Sequence, residues 1–154
     1  PNLPADWLRI DLLAYPLTGE ENEHLISHLR LPKSLAQILR DTNIIKTKVK
    51  SLADPKLSPS SIYHLLYGYS SLSITVNSLA CDSPVAHQHL DLFLNKLRYI
   101  KTALNGDDLK RMGIAPGPRI KEILNLLHEA RLDGKVKTKQ GEEDLVKEWL
   151  AYNR

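Results

Sequence analysis

Histidine and cysteine are the residue types in this chain that could bind a metal ion or act as a nucleophile. His24 and His28 are four residues apart, a spacing that can place two imidazoles on one metal ion. No glutamate follows His24 and no third ligand is near, so both are interpreted as surface histidines. His87 and His89 point to different faces of a helix, and Cys81 has no obvious activating base beside it, which favours a small buried thiol. The sequence therefore predicts no metal site and no catalytic residue here.

The glycine and aspartate patterns of nucleotide chemistry are also missing. None of the seven glycines precedes Lys-Ser or Lys-Thr, and neither Gly-x-Gly-x-x-Gly nor Gly-x-Ser-x-Gly occurs. No Asp-x-Asp pair is present to hold Mg²⁺ for phosphoryl transfer. The hypothesis of a free-standing enzyme would rest only on His24/His28 and Glu143/Asp144. A metal assay that finds stoichiometric zinc or magnesium would be needed to support it. We do not expect this chain to be catalytic by itself.

A helix start near residue 117 is the strongest candidate for binding an anion. Pro116-Gly117-Pro118 delivers the chain stiffly into a helix, whose free N–H groups and dipole favour negative charge. Arg119 and Lys121 stand in the first turn, and further basic residues precede and follow this helix. The candidate binding residues are Lys110, Arg111, Gly117, Arg119, Lys121, Lys135, Lys137 and Lys139. On composition alone, the alternative that the prolines only set a turn and the lysines are only solvated stays open.

Charge is spread unevenly along the 154 residues, which carry a net charge of +3. Residues 31–56 hold six basic and two acidic side chains, and residues 106–139 hold eight basic and five acidic ones. This balance permits a polyanionic partner without requiring one. We interpret Lys46, Lys48 and Lys50 as solvated charges in a Lys-rich turn.

The composition, with 42% hydrophobic and 25% charged residues, is that of a globular chain with a real core. A single cysteine excludes a disulfide framework and favours a reducing compartment, so we expect the cytoplasm. Every apolar run is interrupted by polar residues, which predicts no membrane contact, and no signal peptide is evident. The start at Pro1, with Met112 as the only methionine, favours a piece of a longer protein.

Apolar residues recur at three- and four-residue spacing along nearly the whole chain, which predicts an all-α fold. We expect eight or nine helices in a compact or two-lobed bundle without a sheet. The chain divides into an N-terminal helical part (1–57), central helices (58–105) and a C-terminal tail module with the Pro-Gly-Pro helix (106–154). The first boundary is placed in a short polar linker flanked by Pro55 and Pro59.

Capping residues and prolines predict where the individual helices begin and end. The predicted elements are a helix over Ala5–Tyr15, a second with a Thr18/Glu21 capping box, a third from Pro32 broken at Asp41-Thr42-Asn43, helix starts at Ser58-Pro59 and Ser83-Pro84, a long helix from Pro84 to about Leu104, a short turn capped by Asp107, a helix from Pro118 ended by Gly134, and a last helix from about Thr138.

Residues 106–138 also contain several short motifs in a fixed order. They are Gly106-Asp107-Asp108-Leu109, Gly113-Ile114, Pro116-Gly117-Pro118, Ile120, Ile123-Leu124, Leu132-Asp133-Gly134 and Thr138. This series resembles the C-terminal signature of the bacterial class II tRNA nucleotidyltransferase and poly(A) polymerase family, and the helices from Trp7 onward agree more loosely. Gly141 departs from the pattern where the family often carries an acid, which predicts that the last helix starts later or frays.

The resemblance implies an all-helical body and tail that grip the acceptor end and elbow of tRNA and orient its 3′ end toward an N-terminal catalytic head. The head's motifs are absent from this chain, so Mg²⁺ and nucleoside triphosphates would bind in that head and no cofactor is expected here. The implied partners are tRNA and the head of the same polypeptide, with a homodimer as a further option. The basic residues around the Pro-Gly-Pro helix would then bind RNA.

The alternative is a helical scaffold or protein-interaction domain without RNA contact. In that case the apolar stripes of the helices over 84–104 and 118–133 would pack against the missing head or against a second copy.

Overall fold

The computed structural model of the chain describes residues 5–153. Over this range the chain forms nine α-helices, one 3₁₀ turn and no β-strand, which confirms the all-α prediction. The helices are α1 (Ala5–Ala14), α2 (Gly19–Leu29), α3 (Lys33–Leu52), α4 (Pro59–Leu66), α5 (Ser71–Ala80), α6 (Pro84–Asn95), α7 (Gly106–Arg111), α8 (Pro118–Leu132) and α9 (Lys139–Tyr152). None of these helices has the length and apolar character needed to cross a membrane.

The chain folds into two compact units. Unit 1 comprises the described residues up to Leu57 together with Ser61–Arg98, and unit 2 comprises Ser58–Ser60 together with the described residues from Tyr99 onward. In unit 1, α5 packs against α1, α3 and α6. In unit 2, α7, α8 and α9 surround a core of Leu104, Leu109, Ile114, Ile123, Leu127 and Val146.

The first two helices form where the sequence predicts them. The Thr18 hydroxyl accepts from the Glu21 N–H at 3.2 Å, and the Glu21 carboxylate accepts from the Thr18 N–H at 2.8 Å. This capping box satisfies two N–H groups that have no partner inside the helix, so α2 begins at Gly19.

The predicted break at Asp41-Thr42-Asn43 is wrong, because α3 continues through this triplet to Leu52. Asp41 and Thr42 are buried in unit 1, where their polar atoms find partners outside the helix backbone. The Asp41 carboxylate accepts from the Gln37 side chain at 2.8 Å and from the Ser70 N–H at 3.3 Å. Residues that favour a break when solvated are thus held in the helix by long-range hydrogen bonds.

Lys46 and Lys48 are not solvated charges in a turn, as their position predicted, but side chains on α3 that bind backbone carbonyls. The Lys46 ammonium donates to the carbonyl of Tyr15 at 2.6 Å and lies 5.0 Å from the centre of its ring. The Lys48 ammonium donates to the Leu65 carbonyl at 3.1 Å and the Tyr69 hydroxyl at 3.0 Å. These two cations therefore satisfy carbonyls near helix ends, while Lys50 stays exposed.

The long helix predicted over 84–104 is also wrong, since α6 ends at Asn95 and a 3₁₀ turn follows at Leu97–Tyr99. Phe93 and Leu97 are buried and belong to unit 1, whereas Leu104 packs in the core of unit 2. A single apolar stripe in the sequence is thus divided between two cores, so no continuous helix serves all of it.

A buried polar cluster joins α1, α3 and α5. Asp11 is 1% exposed and its carboxylate accepts from the Thr42 hydroxyl at 2.6 Å, while its other oxygen has no hydrogen-bond partner. Asn77 donates to the Thr42 carbonyl at 3.1 Å. Burial raises the pKa of Asp11 from 3.8 to about 6, and this effect outweighs the opposing hydrogen bond from Thr42.

This raised pKa predicts that Asp11 lowers stability progressively as pH rises. The contribution of the protonated Asp11 carboxyl to the free energy of unfolding is complete below the unfolded pKa of 3.8. This contribution is lost as pH rises through the folded pKa of about 6. The shift is equivalent to about 3 kcal/mol. We therefore expect Asp11→Asn to gain about 3 kcal/mol relative to the wild type between pH 4 and pH 7, measured by urea unfolding at each pH.

Asp6→Asn is the matched control, because Asp6 lies on the same helix with a side chain that is 79% exposed. It should track the wild type within about 0.5 kcal/mol at every pH. A difference between Asp11→Asn and the wild type that does not change with pH would contradict the assignment.

Candidate nucleic-acid interface

The first element of the candidate interface is α7, a short helix capped by Asn105. The Asn105 side chain accepts from the N–H groups of Asp107 and Asp108 at 2.9 and 3.0 Å, and the Asp108 carboxylate accepts from the Asn105 N–H at 3.0 Å. The predicted cap at Asp107 is therefore displaced by two residues. Asparagine takes this position because its side-chain oxygen reaches the first free N–H groups of the helix.

The acids of this helix also pair with two of the predicted binding residues. Lys110 lies 3.1 Å from the Asp107 carboxylate, and Arg111 lies 3.6 Å from the Asp108 carboxylate. Both basic side chains are exposed, but part of their charge is balanced within the same helix. Lys110 and Arg111 are therefore weaker candidates for an anion than cations without such partners.

The start of α8 presents an open turn. Gly117 has φ of 142° and ψ of −162°, a conformation in the region that favours glycine, and it is followed at once by Pro118. No side chain caps this helix, and its first turn holds no acidic residue. Gly117 is exposed, so the positive end of the helix dipole is accessible to an anion.

Arg119 and Lys121 are the basic residues of this first turn. Both are exposed, and in the range 5–153 neither forms an ion pair or a side-chain hydrogen bond. Gly106 of α7 lies near the same turn, since a Cβ at this position would be 3.4 Å from a methyl of Ile120. The structure thus places α7 beside the start of α8.

The other three predicted binding residues lie beyond the opposite end of α8. Lys135, Lys137 and Lys139 follow Gly134, are exposed, and form no ion pair among the residues that the structure describes. Since a helix rises about 1.5 Å per residue, the two ends of α8 are about 20 Å apart. The predicted residues therefore form two groups, one at each end of α8.

Glu142 holds the second group in place, a role that the sequence analysis missed. It is fully buried, and its carboxylate accepts from the N–H groups of Ala103 at 2.9 Å and Leu104 at 2.8 Å. It also accepts from the Arg131 guanidinium, which in turn donates to the Lys137 carbonyl at 3.2 Å. One signal was available in the sequence: Glu142 is four residues before the buried Val146 and so lies on the same helix face.

The last helix begins at Lys139, so the expectation of a later or frayed start is wrong. The Thr138 hydroxyl accepts from the Gly141 N–H at 3.1 Å even though no acid completes a capping box. A Cβ at Gly141 would lie 3.2 Å from a methyl of Val136 and 3.3 Å from the Thr138 hydroxyl oxygen. The absence of a side chain at this position allows Val136 and the cap to approach α9 closely.

The turn after α8 is held by a different carboxylate. Asp133 accepts from the N–H and the hydroxyl of Ser60, each at 2.9 Å, and Ser60 belongs to the same unit. Gly134 follows with φ of 71°, which confirms its predicted position after the helix.

His24 and His28, interpreted above as surface histidines, are both exposed. The rings of His24 and His28 stack with their centres 6.1 Å apart. Within residues 5–153 no group of three or more metal-ligating side chains is present. Cys81 is half-buried, and burial raises the pKa of its thiol, which disfavours the reactive thiolate.

A serine, a histidine and an aspartate also meet between α5 and α6, but not as a nucleophile and its base. The Ser78 hydroxyl donates to the Asp91 carboxylate at 2.5 Å and lies 3.0 Å from the His87 Nδ1. The same Nδ1 is closer to the Ser78 carbonyl, at 2.7 Å. The other ring nitrogen of His87 is 3.2 Å from Asp91. Since Ser78 is buried and its proton faces Asp91, the cluster ties two helices together rather than activating a hydroxyl.

Part of the chain is similar to A-adding tRNA nucleotidyltransferases. The chain is 37% identical over 83 residues to such an enzyme from Geobacter sulfurreducens, a match that covers 54% of this chain and 9% of the relative. It is 35% identical over 66 residues to one from Halalkalibacterium halodurans, covering 42% of this chain and 15% of the relative.

These matches span less than a sixth of the length of either relative. No family model matches the chain. No solved structure matches it either. The comparisons thus support a relation to the tRNA nucleotidyltransferases over part of the chain.

Proposed function

We propose that this chain is a tRNA-binding body and tail region of a bacterial class II tRNA nucleotidyltransferase. In this proposal it orients the tRNA 3′ end for a catalytic head of the same polypeptide. That head would hold Mg²⁺ and nucleoside triphosphates, and the protein would act in the cytoplasm. The names of the two partial relatives support the choice of tRNA as the partner.

The observation that carries the proposal is the open start of α8. Gly117 exposes uncapped backbone there, and the neighbouring Arg119 and Lys121 have no carboxylate partner among the described residues. Such a site suits phosphate oxygens, which accept hydrogen bonds from backbone N–H groups and from guanidinium and ammonium groups. Contacts of this kind position a nucleic acid by its shape and backbone rather than by its base sequence.

The three lysines beyond Gly134 would contact a second stretch of the RNA backbone. Two cationic groups about 20 Å apart suit a partner whose charges repeat along its length better than a single small anion. The Glu142–Arg131 pair, through the Lys137 carbonyl, keeps this second group on a fixed segment.

Salt dependence tests the proposal directly. We expect the chain to bind tRNA in a fluorescence anisotropy titration, with log affinity falling against log salt by about 0.7 to 0.9 for each phosphate contacted. Contacts at the α8 start alone would give a slope near −1.5, and both groups together a steeper one. A slope of about zero between 50 and 300 mM salt, meaning that binding does not respond to salt, would contradict the proposal.

The alternative of a helical scaffold was based on the apolar stripes of two helices. Leu90 on α6 and Ile123 and Leu127 on α8 are fully buried within their own units, so their stripes are not available to a partner. The exposed apolar side chains lie elsewhere, with Leu13 81% and Leu79 61% exposed. Concentration-dependent dimerisation in sedimentation velocity, without retention of tRNA, would favour this alternative.

A further inference from the structure

Four aromatic side chains lie within seven residues at the end of α4 in unit 1. They are Tyr63, His64, Tyr67 and Tyr69. Neither the metal and nucleophile motifs nor the proposed phosphate contacts involve this segment. Proteins stack unpaired bases on aromatic side chains that are exposed at the surface, often several that are close in sequence.

The rings form a stack that runs from the core to the surface. Phe93 is 5% exposed, and its ring centre lies 5.8 Å from that of Tyr63. The Tyr63 ring in turn stacks on Tyr67 at 5.2 Å with an angle of 24° between their planes. The Tyr67 end of the stack is open to solvent, since this residue is 67% exposed.

The backbone fixes the outer ring. The Tyr67 N–H donates to the Tyr63 carbonyl at 2.8 Å, which extends the last turn of α4 and places the two rings on one face. Because Tyr63 contacts the buried Phe93, the Tyr67 ring stacks on a partner that is itself packed into unit 1. A pre-ordered ring gives up little side-chain freedom when a base stacks on it.

The charge around the stack suits a polyanion. Residues 55–81 contain no aspartate or glutamate. The Lys48 ammonium lies 4.6 Å from the centre of the Tyr69 ring, two residues beyond Tyr67. The segment that carries Tyr67 therefore contributes no negative charge that would repel a phosphate attached to a stacked base.

We propose that Tyr67, backed by Tyr63, is a stacking platform for an unpaired base of RNA. The choice of RNA rests on the proposed function, and the platform adds a base contact in unit 1 to the phosphate contacts of unit 2. Since every base has a flat face, the platform accepts unpaired segments without reading their sequence.

The test uses a single-stranded RNA dodecamer that contains 2-aminopurine, whose fluorescence falls when it stacks. We expect the 154-residue chain to quench this probe on titration. Tyr67→Ala should weaken binding about 5- to 100-fold and abolish the quenching, because stacking on an aromatic side chain is lost. Tyr67→Phe, which keeps the ring and removes the hydroxyl, should bind within about twofold of the wild type.

Tyr152→Ala is the matched control, because Tyr152 is 89% exposed and is stacked on no other ring among the described residues. This variant should quench and bind as the wild type does. Equal losses in Tyr67→Ala and Tyr152→Ala would overturn the proposal. So would a Tyr67→Phe variant as weak as Tyr67→Ala, since the hydroxyl rather than the ring would then be responsible.

The two proposals fail in distinguishable ways. If Tyr67→Ala binds the probe normally while tRNA binding remains salt-dependent, the platform is overturned and the proposed function stands. If Tyr67→Ala loses quenching while changes at Arg119 and Lys121 have no effect on tRNA, the platform stands and the phosphate site falls. Self-association that Tyr67→Ala abolishes, with no quenching by the wild type, would assign the stack to a protein contact and overturn the platform.

Discussion

Glu142→Ala is expected to lower the free energy of unfolding of unit 2 by about 3 to 5 kcal/mol. The substitution leaves the Arg131 guanidinium, whose side chain is 19% exposed, without its carboxylate partner. It also leaves the N–H groups of Ala103 and Leu104 without an acceptor where Leu104 is buried. Removing one member of a buried network costs more than the network contributes as a whole, because the remaining groups stay desolvated.

The measurement is urea unfolding followed by fluorescence of Trp149, which packs against the core of unit 2. A Trp7→Phe background removes the other tryptophan, so that the signal reports unit 2. Glu148→Ala is the matched control, because Glu148 is an exposed acid on the same helix. It should change stability by less than about 0.5 kcal/mol. A Glu142→Ala variant as stable as this control would contradict the structural role of Glu142.

Glu142→Ala should also affect RNA binding indirectly. Arg131 joins Glu142 to the carbonyl of Lys137, so loss of the carboxylate releases the segment that carries the second group of cations. We expect the tRNA salt slope of this variant, measured below its unfolding transition, to be shallower than that of the wild type.

The double substitution Arg119→Glu/Lys121→Glu is expected to weaken tRNA binding about 100-fold at 0.1 M salt. Each phosphate contact contributes about a factor of ten under these conditions, and the two substitutions change the local charge by four. Acidic residues in a first helical turn interact favourably with the helix dipole, so α8 should remain folded. Binding is measured by fluorescence anisotropy and folding by far-ultraviolet circular dichroism.

Lys50→Glu/Lys56→Glu is the matched control, since both lysines are exposed in unit 1 and the net charge changes by the same amount. A loss of affinity that depends only on total charge would be equal in the two variants. We expect the control to lose less than about tenfold, because non-contacting charges act only through the screened general field. Equal losses would rule out a specific phosphate site at the α8 start.

Much of the fold is predictable from the sequence, because helix starts are determined by neighbouring residues. The Thr18/Glu21 capping box, Ser83 before Pro84, and Pro118 after Gly117 each satisfy or remove free N–H groups within one turn. Asparagine and aspartate both cap helices well, so the predicted cap at Asp107 lies only two residues from the observed cap at Asn105.

Several features of the candidate site are likewise predictable from the sequence. The open start of α8 is a local property of Pro116-Gly117-Pro118 and its two basic neighbours, so the sequence determined it. Pairing of Lys110 and Arg111 with Asp107 and Asp108 was also within reach, because residues three apart on a helix are neighbours. The residue motifs that resemble the nucleotidyltransferase signature required no tertiary information either.

Only the tertiary structure decided how polar residues in helix interiors are used. Thr42 and Asp41 favour a break by their own propensity, and Lys46 and Glu142 favour the surface by their charge. Each is kept in α3 or α9 by a partner at least eleven residues away in the chain, as the Thr42–Asp11, Lys46–Tyr15 and Glu142–Arg131 contacts show. Local sequence specifies the helix starts because their partners lie within one turn, whereas these buried groups are stabilised by partners that only the packing of helices brings near.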